Sequence, residues 1–304
     1  MESLYYILCN PTAGGGRARE TLKRLEAHMK QKALEYEVGL SMYHKHAIEL
    51  VKDAVARGYR KIFAVGGDGT VFETVNGVAQ SGMLHEVDIG FLPGGTGNDL
   101  TRSLKLPRDP VEAMEALLGG TVAEIDLWKA NEFYFINVFG LGLDTDLAGW
   151  AEKTKKLLKG MPAYIAALLL TLFGFKFKKI RITADGRVLE REVVVLTASN
   201  GKYYGGGIFV APDASLVDGK LEIVFFNKVW KPKIPGMLVK YIAGRHIKEI
   251  KECEYIRAES FTIESDMPIV CETDGELELK PPVTVRRAER RIRAMVPLEF
   301  NAEA

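Results

Sequence analysis

The sequence contains little cysteine and has no excess of charge of either sign. Its three cysteines, Cys9, Cys253 and Cys271, are too few for a disulfide framework and lack the spacing of a metal site. We therefore expect free thiols in a reducing cytosol. The formal net charge of +1 provides no global field for nucleic acid, so we expect no nucleic-acid partner. An anionic ligand must be bound by a local site.

Targeting signals and long apolar runs are also missing. The segment Met1–Ile7 has no basic region and no cleavage site, so we expect no signal peptide. The most apolar stretch, Met161–Phe175, has roughly 15 residues, whereas a membrane-spanning helix needs about 20. A buried helix is the default interpretation. A membrane-surface element is the alternative, because Lys155, Lys156 and Lys159 precede the stretch and three lysines follow it.

Several common catalytic signatures are absent. The sequence has no GxxxxGK[ST] loop and no GxGxxG fingerprint followed by an acid at the dinucleotide-binding distance. It has no HExxH, no GxSxG and none of the protein-kinase signatures. These absences exclude the usual P-loop, Rossmann, zinc-protease and serine-hydrolase interpretations.

Strands and helices alternate in the first third of the chain. With 304 residues, 47% of them apolar, the chain is long enough for one large or two ordinary domains. The apolar periodicity predicts strands at 4–9, 39–43, 61–65 and 89–92, and helices around 22–29, 47–57, 71–80 and 110–118. This βαβα order predicts an α/β domain with a parallel sheet covered by helices.

The pattern changes after about Asp126, where alternating segments joined by Asp-Gly pairs take over. An Asp-Gly pair between alternating apolar residues is a strong hairpin signal. It predicts three hairpins, which span 180–197, 216–226 and 267–279. We therefore expect a mostly antiparallel β domain with one or two helices inserted, one of them inside Lys228–His246.

Three glycine-rich loops follow three of the predicted parallel strands. They are Asn10–Gly16, Gly66–Thr70 and Pro93–Asp99. Glycine lets several backbone N–H groups approach a phosphate, and ligands of open α/β sheets bind at the carboxyl edge of the strands. Asp68 is an acid inside such a loop and would repel phosphate unless a cation lies between them. Magnesium, reached through water, is the obvious mediator.

In these loops the sequence resembles the catalytic family of the diacylglycerol kinases, in its soluble bacterial lipid-kinase branch; sphingosine and ceramide kinases are relatives. The resemblance runs in order through NPTAGGG, GGDGT, PGGTGND, VDGKLEI and TDGE, and so covers nearly the whole chain. It implies a nucleotide-binding α/β domain over residues 1–126 and a β-sandwich lipid-substrate domain over 127–290, with ATP in the cleft between them. The C-terminal segment from about 291 to 304 could return to the first domain.

The resemblance also implies roles for individual positions. Positions that match nucleotide contacts are Asn10, Ser41, Gly66, Gly67, Asp68, Gly69, Thr70, Gly94, Gly95 and Thr96. Acids that match those organising a catalytic Mg²⁺ and its waters are Asp68, Asp99 and Asp126. Asp218 matches a ligand of a structural Mg²⁺, helped by the carbonyls of Ser215 and Lys220. Glu276 matches the proposed general base, although without the resemblance Glu276 and Asp218 would be interpreted as turn residues.

Two positions depart from the family pattern. Phe72 stands where Asn is frequent, so that side-chain contact is expected to be lost. Lys45 stands where Gly often precedes the His-Ala pair, and we expect a solvated helix start there rather than a phosphate contact.

The expected function is ATP-dependent, Mg²⁺-dependent phosphorylation of a hydroxyl on diacylglycerol or a related lipid. The protein is expected to be cytoplasmic, with peripheral contact to the membrane that holds the lipid. A soluble-substrate kinase such as an NAD kinase, or a nucleotide-binding protein without catalysis, are the alternatives. The identity of the lipid, whether Glu276 or Asp68 takes the proton, and the oligomeric state stay open; a homodimer is one alternative.

Overall fold

A computed structural model of the chain describes residues 4–143, 145–146, 171 and 174–300. The apolar stretch Met161–Phe175 therefore lies almost entirely outside the described residues, together with Lys155, Lys156 and Lys159. Within the described ranges, no helix has both the length and the apolar character needed to cross a membrane.

The elements alternate between strand and helix in the first 125 residues and are mainly strands thereafter. The helices are α1 (Arg17–Gln31), α2 (His46–Ala56), α3 (Asp68–Gln80), α4 (Asp99–Ser103), α5 (Pro110–Leu118), α6 (Ile234–Ile242) and α7 (His246–Glu249), with 3-10 turns at Ala13–Gly15 and Lys231–Lys233. The strands are β1 (Tyr5–Cys9), β2 (Tyr36–Leu40), β3 (Lys61–Gly66), β4 (Asp88–Pro93), β5 (Thr121–Ile125), β6 (Trp128–Ala130), β7 (Phe133–Phe135), β8 (Val138–Gly142), β9 (Lys178–Ala184), β10 (Arg187–Ser199), β11 (Tyr203–Tyr204), β12 (Ile208–Phe209), β13 (Leu221–Asn227), β14 (Cys253–Ala258), β15 (Ser260–Glu264), β16 (Cys271–Thr273), β17 (Glu276–Leu279), β18 (Val283–Arg287) and β19 (Ile292–Val296).

The first sheet has the order β2-β1-β3-β4-β19-β5. Its first five strands run parallel, and β5 pairs antiparallel with β19. Helix α1 shows why the layers pack: Ala18, Leu22, Leu25 and Met29 recur at helical spacing and are all buried. Burying each large apolar side chain contributes about 1.5–3 kcal/mol. The prediction of an α/β domain with a mostly parallel sheet is confirmed.

The second sheet contains eleven strands, and its pairings are antiparallel. The hairpin across Asp185-Gly186 joins β9 to β10, and the hairpin across Asp274-Gly275 joins β16 to β17. The predicted antiparallel β domain is confirmed, and so is a helix within Lys228–His246, namely α6.

One predicted hairpin is wrong, the one placed across Asp218-Gly219. Residues before this pair form no strand, and β13 pairs with β10 and β14 instead. The reason lies in Asp126, whose backbone N–H donates to the carbonyl of Leu216 (2.7 Å) while its Oδ2 accepts from the N–H of Gly219 (2.6 Å). These bonds hold the segment against the first domain rather than against β13.

The strand predicted at 39–43 lies earlier, at Tyr36–Leu40. Pairing with β1 sets this register, since Tyr5 faces Tyr36 and Cys9 faces Leu40. At Gly39 a Cβ atom would lie 1.9 Å from the hydroxyl oxygen of Tyr6, so only glycine fits opposite that ring.

Buried side-chain amides connect the two halves of the molecule. Asn76 on α3 donates through Nδ2 to the carbonyl of Tyr134 (2.7 Å) and accepts through Oδ1 from its N–H (3.0 Å). Asn200 accepts from the indole N–H of Trp128 (2.9 Å) and donates to the carbonyls of Asp126 and Ile136. The side-chain amides of Asn76 and Asn200 thus bond backbone groups that, among the described residues, have no strand beside them to bond.

We predict that Asn76→Ala lowers the free energy of unfolding by about 2–3 kcal/mol, because two buried backbone groups lose their partners. Urea denaturation measures the change. Asn131→Gly is the matched control, because Asn131 makes a similar pair of bonds with Thr284 and Pro282 at an exposed turn with φ +50°. Equal losses in the two variants would contradict the importance of the buried connection.

Candidate functional site

The three glycine loops meet at the carboxyl edge of the first sheet and line a cleft with a turn of the second domain. The cleft has a volume of about 320 Å³. Its lining residues are Asn10, Ala13, Gly14, Gly67, Asp68, Gly69, Thr70, Gly95, Thr96, Gly97, Asp274, Gly275 and Glu276. The structure thus brings most of the predicted nucleotide contacts together with the predicted base.

The loop after β1 is shaped by Asn10 and by glycine. Oδ1 of Asn10 accepts from both the backbone N–H (3.1 Å) and the hydroxyl (2.8 Å) of Thr12, which turns the chain sharply. Gly14 has φ +61°, and a Cβ there would lie 2.7 Å from the carbonyl oxygen of Gly94. The first and third loops therefore touch only because position 14 lacks a side chain.

Asp68 joins the second loop to the third. Its two carboxylate oxygens accept the backbone N–H groups of Asn98 (3.1 Å) and Asp99 (2.9 Å). Burial raises the pKa of Asp68, although these amide bonds act in the opposite direction. The carboxylate of Asp68 holds the third loop in position, and it is itself an acidic group in the lining of the cleft.

Asp99 is the second acid of this edge. Its Oδ2 accepts from the N–H of Gly206 (2.8 Å), and its Oδ1 has no hydrogen-bond partner among the described residues. Burial first, and the charge of Asp68 second, raise the pKa of Asp99 to about 6. The partly buried carboxylate of Asp68 and the buried one of Asp99, whose Oδ1 has no hydrogen-bond partner among the described residues, fit a cation between them.

Mg²⁺ commonly uses one or two protein carboxylates and takes its other ligands from water and phosphate. The pair Asp68 and Asp99 fits that requirement. The described ranges contain no group of three or more His, Cys, Asp or Glu side chains arranged for a metal.

The turn between β16 and β17 places Glu276 over the second loop. A Cβ built on Gly69 would lie 3.1 Å from Oε1 of Glu276, so the two domains are in close contact here. The turn is held by Asp274, whose buried carboxylate accepts three backbone N–H groups from Ile136 (2.9 Å), Asn137 (3.0 Å) and Val138 (2.8 Å). Burial nevertheless raises the pKa of Asp274 to about 7.

The sequence analysis missed three side chains of this site. Arg17 reaches the carbonyl of Gly95 (3.5 Å) and the hydroxyl of Thr96 (3.4 Å), which places a guanidinium at the edge of the glycine loops. His44 lies 3.8 Å from a carboxylate oxygen of Glu73 and 3.9 Å from one of Glu276. Asp274 is the third. An arginine directly after a glycine-rich loop was the available signal for Arg17.

Several predicted residues lie beside the cleft rather than in its lining. Gly66 and Gly94 are joined by a backbone hydrogen bond of 2.9 Å. Ser41 is buried at the end of β2, where its N–H donates to the carbonyl of Cys9. Asp126 is fully buried and accepts from Arg291 (2.9 Å). Its side chain thus supports the junction where β19 returns to the first sheet.

At the predicted metal position around Asp218, the side chain of Arg257 provides the positive charge. The guanidinium of Arg257 pairs with Asp218 and lies 2.8 Å from buried Glu222. The backbone N–H of Lys220 donates to Oδ1 of Asp218 (3.0 Å), and the hydroxyl oxygen of Ser215 accepts from Val217. With its charge balanced by arginine, this position fits a metal less well than the pair Asp68 and Asp99.

The two departures from the family pattern meet at one aromatic ring. Phe72 is buried with its ring 6.1 Å from that of Phe133, and Nζ of Lys45 lies 5.0 Å from the same ring centroid. The backbone N–H groups of Lys45 and Ala47 donate to Glu73, both at 3.0 Å. Lys45 therefore contacts the second domain, where a solvated helix start was expected.

Two family models match the chain. The diacylglycerol kinase catalytic domain matches residues 5–130, and the YegS C-terminal NAD kinase beta sandwich-like domain matches residues 137–296.

Individual relatives cover nearly the whole length. A diacylglycerol kinase of Bacillus subtilis (strain 168) is 27% identical over 294 residues and covers 96% of each chain. A diacylglycerol kinase of Staphylococcus carnosus (strain TM300) is 28% identical over 295 residues, covering 97% of this chain and 95% of the relative. A crystal structure of a diacylglycerol kinase from Bacillus anthracis str. Sterne has a TM-score of 0.75 at 28% identity, with 97% of both chains covered.

We predict that Asp99→Asn stabilises the ligand-free protein at pH 8 by a few degrees in melting temperature. The pKa of Asp99 is raised in the folded state to about 6, so ionisation above that pH opposes folding. The advantage of the variant should shrink as the pH falls below 6 and vanish below the ordinary aspartate pKa.

Thermal melts of both proteins between pH 4 and pH 8 measure this difference. Asp88→Asn is the control, because Asp88 is paired with Arg293 at 2.7 Å and lies away from the cleft. A pH-independent difference for Asp99→Asn would contradict the argument.

Proposed function

Because the chain belongs to the family that joins a diacylglycerol kinase catalytic domain to a YegS C-terminal domain, it is a lipid kinase, and we propose that it transfers the γ-phosphate of ATP to a hydroxyl of diacylglycerol or a related lipid. The observation that carries the proposal is the contact of Glu276 with the Gly66–Thr70 loop. This contact places a carboxylate of the second domain against the phosphate-binding edge of the first.

In this proposal the glycine loops bind the nucleotide. Gly67 and Gly69 line the cleft and their backbone N–H groups would donate to phosphate oxygens, while the N–H of Gly95 already donates to Oδ1 of Asn98 (3.0 Å). Asn10 and Thr96 would contact the remaining nucleotide. Thr70 also lines the cleft and would contact the nucleotide, whereas Ser41, Gly66 and Gly94 would support this edge from behind the lining. We add Arg17 as a cationic phosphate contact, since its guanidinium already lies against Thr96.

Asp68 and Asp99 are the proposed holders of Mg²⁺, which when bound would neutralise charge on the phosphate oxygens. Asp126 would act on them indirectly, by fixing the domain junction through Arg291 and Gly219. A structural Mg²⁺ on Asp218 stays a prediction, and it would have to compete with Arg257.

Glu276 is the proposed general base. A lipid hydroxyl is a poor nucleophile, and a positioned carboxylate that accepts its proton typically contributes about 10²–10⁴-fold. Asp68 is the less suitable acceptor, because both of its oxygens already accept backbone N–H groups. His44 lies between Glu276 and Glu73 and would hold the base when charged.

A lipid acceptor also requires access to a membrane. We propose a cytoplasmic protein that docks reversibly on the bilayer surface, as expected for a lipid enzyme without a spanning segment in its described part.

We predict that Glu276→Gln lowers the rate of lipid phosphorylation by about 10²–10⁴-fold while ATP affinity stays nearly unchanged. The measurement is a panel of diacylglycerols, sphingoid bases and phosphatidylglycerol with ATP and Mg²⁺, analysed by mass spectrometry. ATP binding is followed separately by calorimetry.

Glu264→Gln is the matched control, because Glu264 is an exposed carboxylate of the same domain. Full turnover by Glu276→Gln would remove Glu276 from the role of base. Absence of any phosphorylated lipid, with NADP formed from NAD instead, would replace the lipid acceptor by a soluble one.

A further inference from the structure

Helix α6 has an apolar outer face. Its inner residues, Ile234, Met237 and Tyr241, are buried in a core formed with β10 and β13. On its opposite side, Val239 is 62% exposed and Ile242 is 58% exposed. A surface helix ordinarily carries polar side chains on its outer face, and contiguous exposed apolar side chains mark an interaction surface.

Trp230 precedes the helix, at the start of the 3-10 turn Lys231–Lys233. It is 74% exposed, although it is among the largest apolar side chains in the protein. It lines an open cavity of about 620 Å³ together with Phe177, Lys228, Val229 and Lys231. Tryptophan is enriched where an apolar medium meets water, because its ring is apolar and its N–H can still be hydrated. We call Trp230, Val239 and Ile242 the α6 surface.

Basic residues surround the α6 surface. Between Lys228 and Lys251 the sequence has seven Lys and Arg residues and one acid, Glu249, in a chain whose total net charge is only +1. Lys231 and Lys248 make no ion pair with the described residues, and both are exposed. The remainder of the chain is therefore net negative, although Lys153–Arg181 is a second basic stretch.

The positive charge beside the α6 surface favours one of three candidates that could cover it. Glutamates already pair with Lys228, Lys233, Lys240 and Arg245, which leaves lysines such as Lys231 and Lys248 for an occupant to neutralise. The apolar stretch Met161–Phe175 contains no acid and is flanked by lysines on both sides, so it would leave these lysines without a counter-charge. A second copy of the chain would bring the same positive charge to the contact. An anionic lipid surface provides both a negative layer for the lysines and an apolar layer for the tryptophan and the aliphatic side chains.

The α6 surface is also connected to the cleft. Phe209 of β12 packs on the turn after α6, since a Cβ on Gly244 would lie 3.1 Å from Phe209. The ribbon of β11 and β12 then leads to Gly206, whose N–H donates to Asp99 (2.8 Å). One short ribbon thus joins the helix to an acid of the phosphate-binding edge.

We propose that the α6 surface is the docking site of this protein for anionic bilayers. Trp230, Val239 and Ile242 enter the interface while Lys231 and its neighbours contact lipid phosphates. This inference rests on the proposed lipid-kinase function for its purpose, but vesicle binding can be measured without catalysis.

The test is co-sedimentation of the full chain with phosphatidylcholine vesicles that contain or lack 30% phosphatidylglycerol. We expect binding to the anionic vesicles only, weakened by added salt. Lys231→Glu should reduce partitioning by about thirtyfold, since it changes the local charge by two units near an anionic surface. Trp230→Ala with Ile242→Ser should reduce it at least as much. All three side chains are exposed, and thermal melts verify that the variants fold.

Matched controls are Lys30→Glu on α1 and Leu298→Ser, the latter at a position 76% exposed. Both should bind vesicles as the unmodified protein does. Equal binding of all variants, equal binding to neutral vesicles, or no binding to anionic vesicles would each overturn the proposal. Loss of a dimer in the α6 variants, with vesicle binding unchanged, would assign the surface to a second copy instead.

Activity on a short-chain, water-dispersed diacylglycerol separates this inference from the proposed function. We expect the α6 variants to retain that activity and to lose activity on the same headgroup in vesicles. Intact docking without phosphorylation of any lipid would contradict the function alone. Intact phosphorylation in vesicles by the α6 variants would contradict the docking surface alone.

Discussion

The cleft depends on the three backbone N–H groups that the buried carboxylate of Asp274 accepts. Those amides belong to the connection from β7 into the start of β8. Asp274, which lies in the β16–β17 hairpin, therefore provides the acceptors for a different connection of the chain. Asp274 and Gly275 both have positive φ, which permits the tight turn that carries Glu276 toward the first domain. An aliphatic side chain at Asp274 would leave three buried donors without acceptors, and each such group costs about 1–3 kcal/mol.

Asp68 plays the equivalent part on the opposite wall. Its oxygens accept two N–H groups of the third loop, and it thereby fixes the spacing of the loops that form the proposed phosphate-binding edge. Each wall therefore contains an acid that accepts backbone N–H groups, fully buried at Asp274 and partly buried at Asp68. The same burial raises the pKa values of Asp68, Asp99 and Asp274, so the ligand-free cleft holds carboxylates that resist ionisation. A cation at Asp99 would reduce the electrostatic cost of ionising these carboxylates. Metal binding would then stabilise the cleft.

Much of the first domain follows from its sequence, because strands of apolar residues and glycine loops alternate there. Phe63 and Ile62 are fully buried in β3, because a short apolar run between turn residues is typical of a buried strand. The strands between Trp128 and Gly142 were not predicted, since β6 and β7 have only three residues each, and β6 is held in the sheet by β18, which is distant in sequence.

The candidate site divides in the same way. Glycine loops and acids are visible in the sequence because local geometry demands those residue types. Asp274, His44 and Arg17 could not be assigned, because their roles depend on contacts across the fold: with the β7–β8 junction, with Glu276, and with Thr96. The Asp218-Gly219 pair shows the reverse case. A strong local hairpin signal is overridden by Asp126, which binds the segment from another domain.

The residues that depart from the family pattern support one another. A glycine at position 45 could not contact the ring of Phe133, and an asparagine at position 72 would not pack on it. In this chain a cation and an aromatic ring approach Phe133 from α2 and α3, while Glu73 caps the start of α2. His44, next in sequence to Lys45, reaches both Glu73 and Glu276. Packing at Phe133 is therefore linked to the position of the proposed base through adjacent residues. Lys45 and Phe72 replace a flexible and a polar position of the family pattern, and together they form a second contact between the domains. That contact lies beside Glu276, the proposed base.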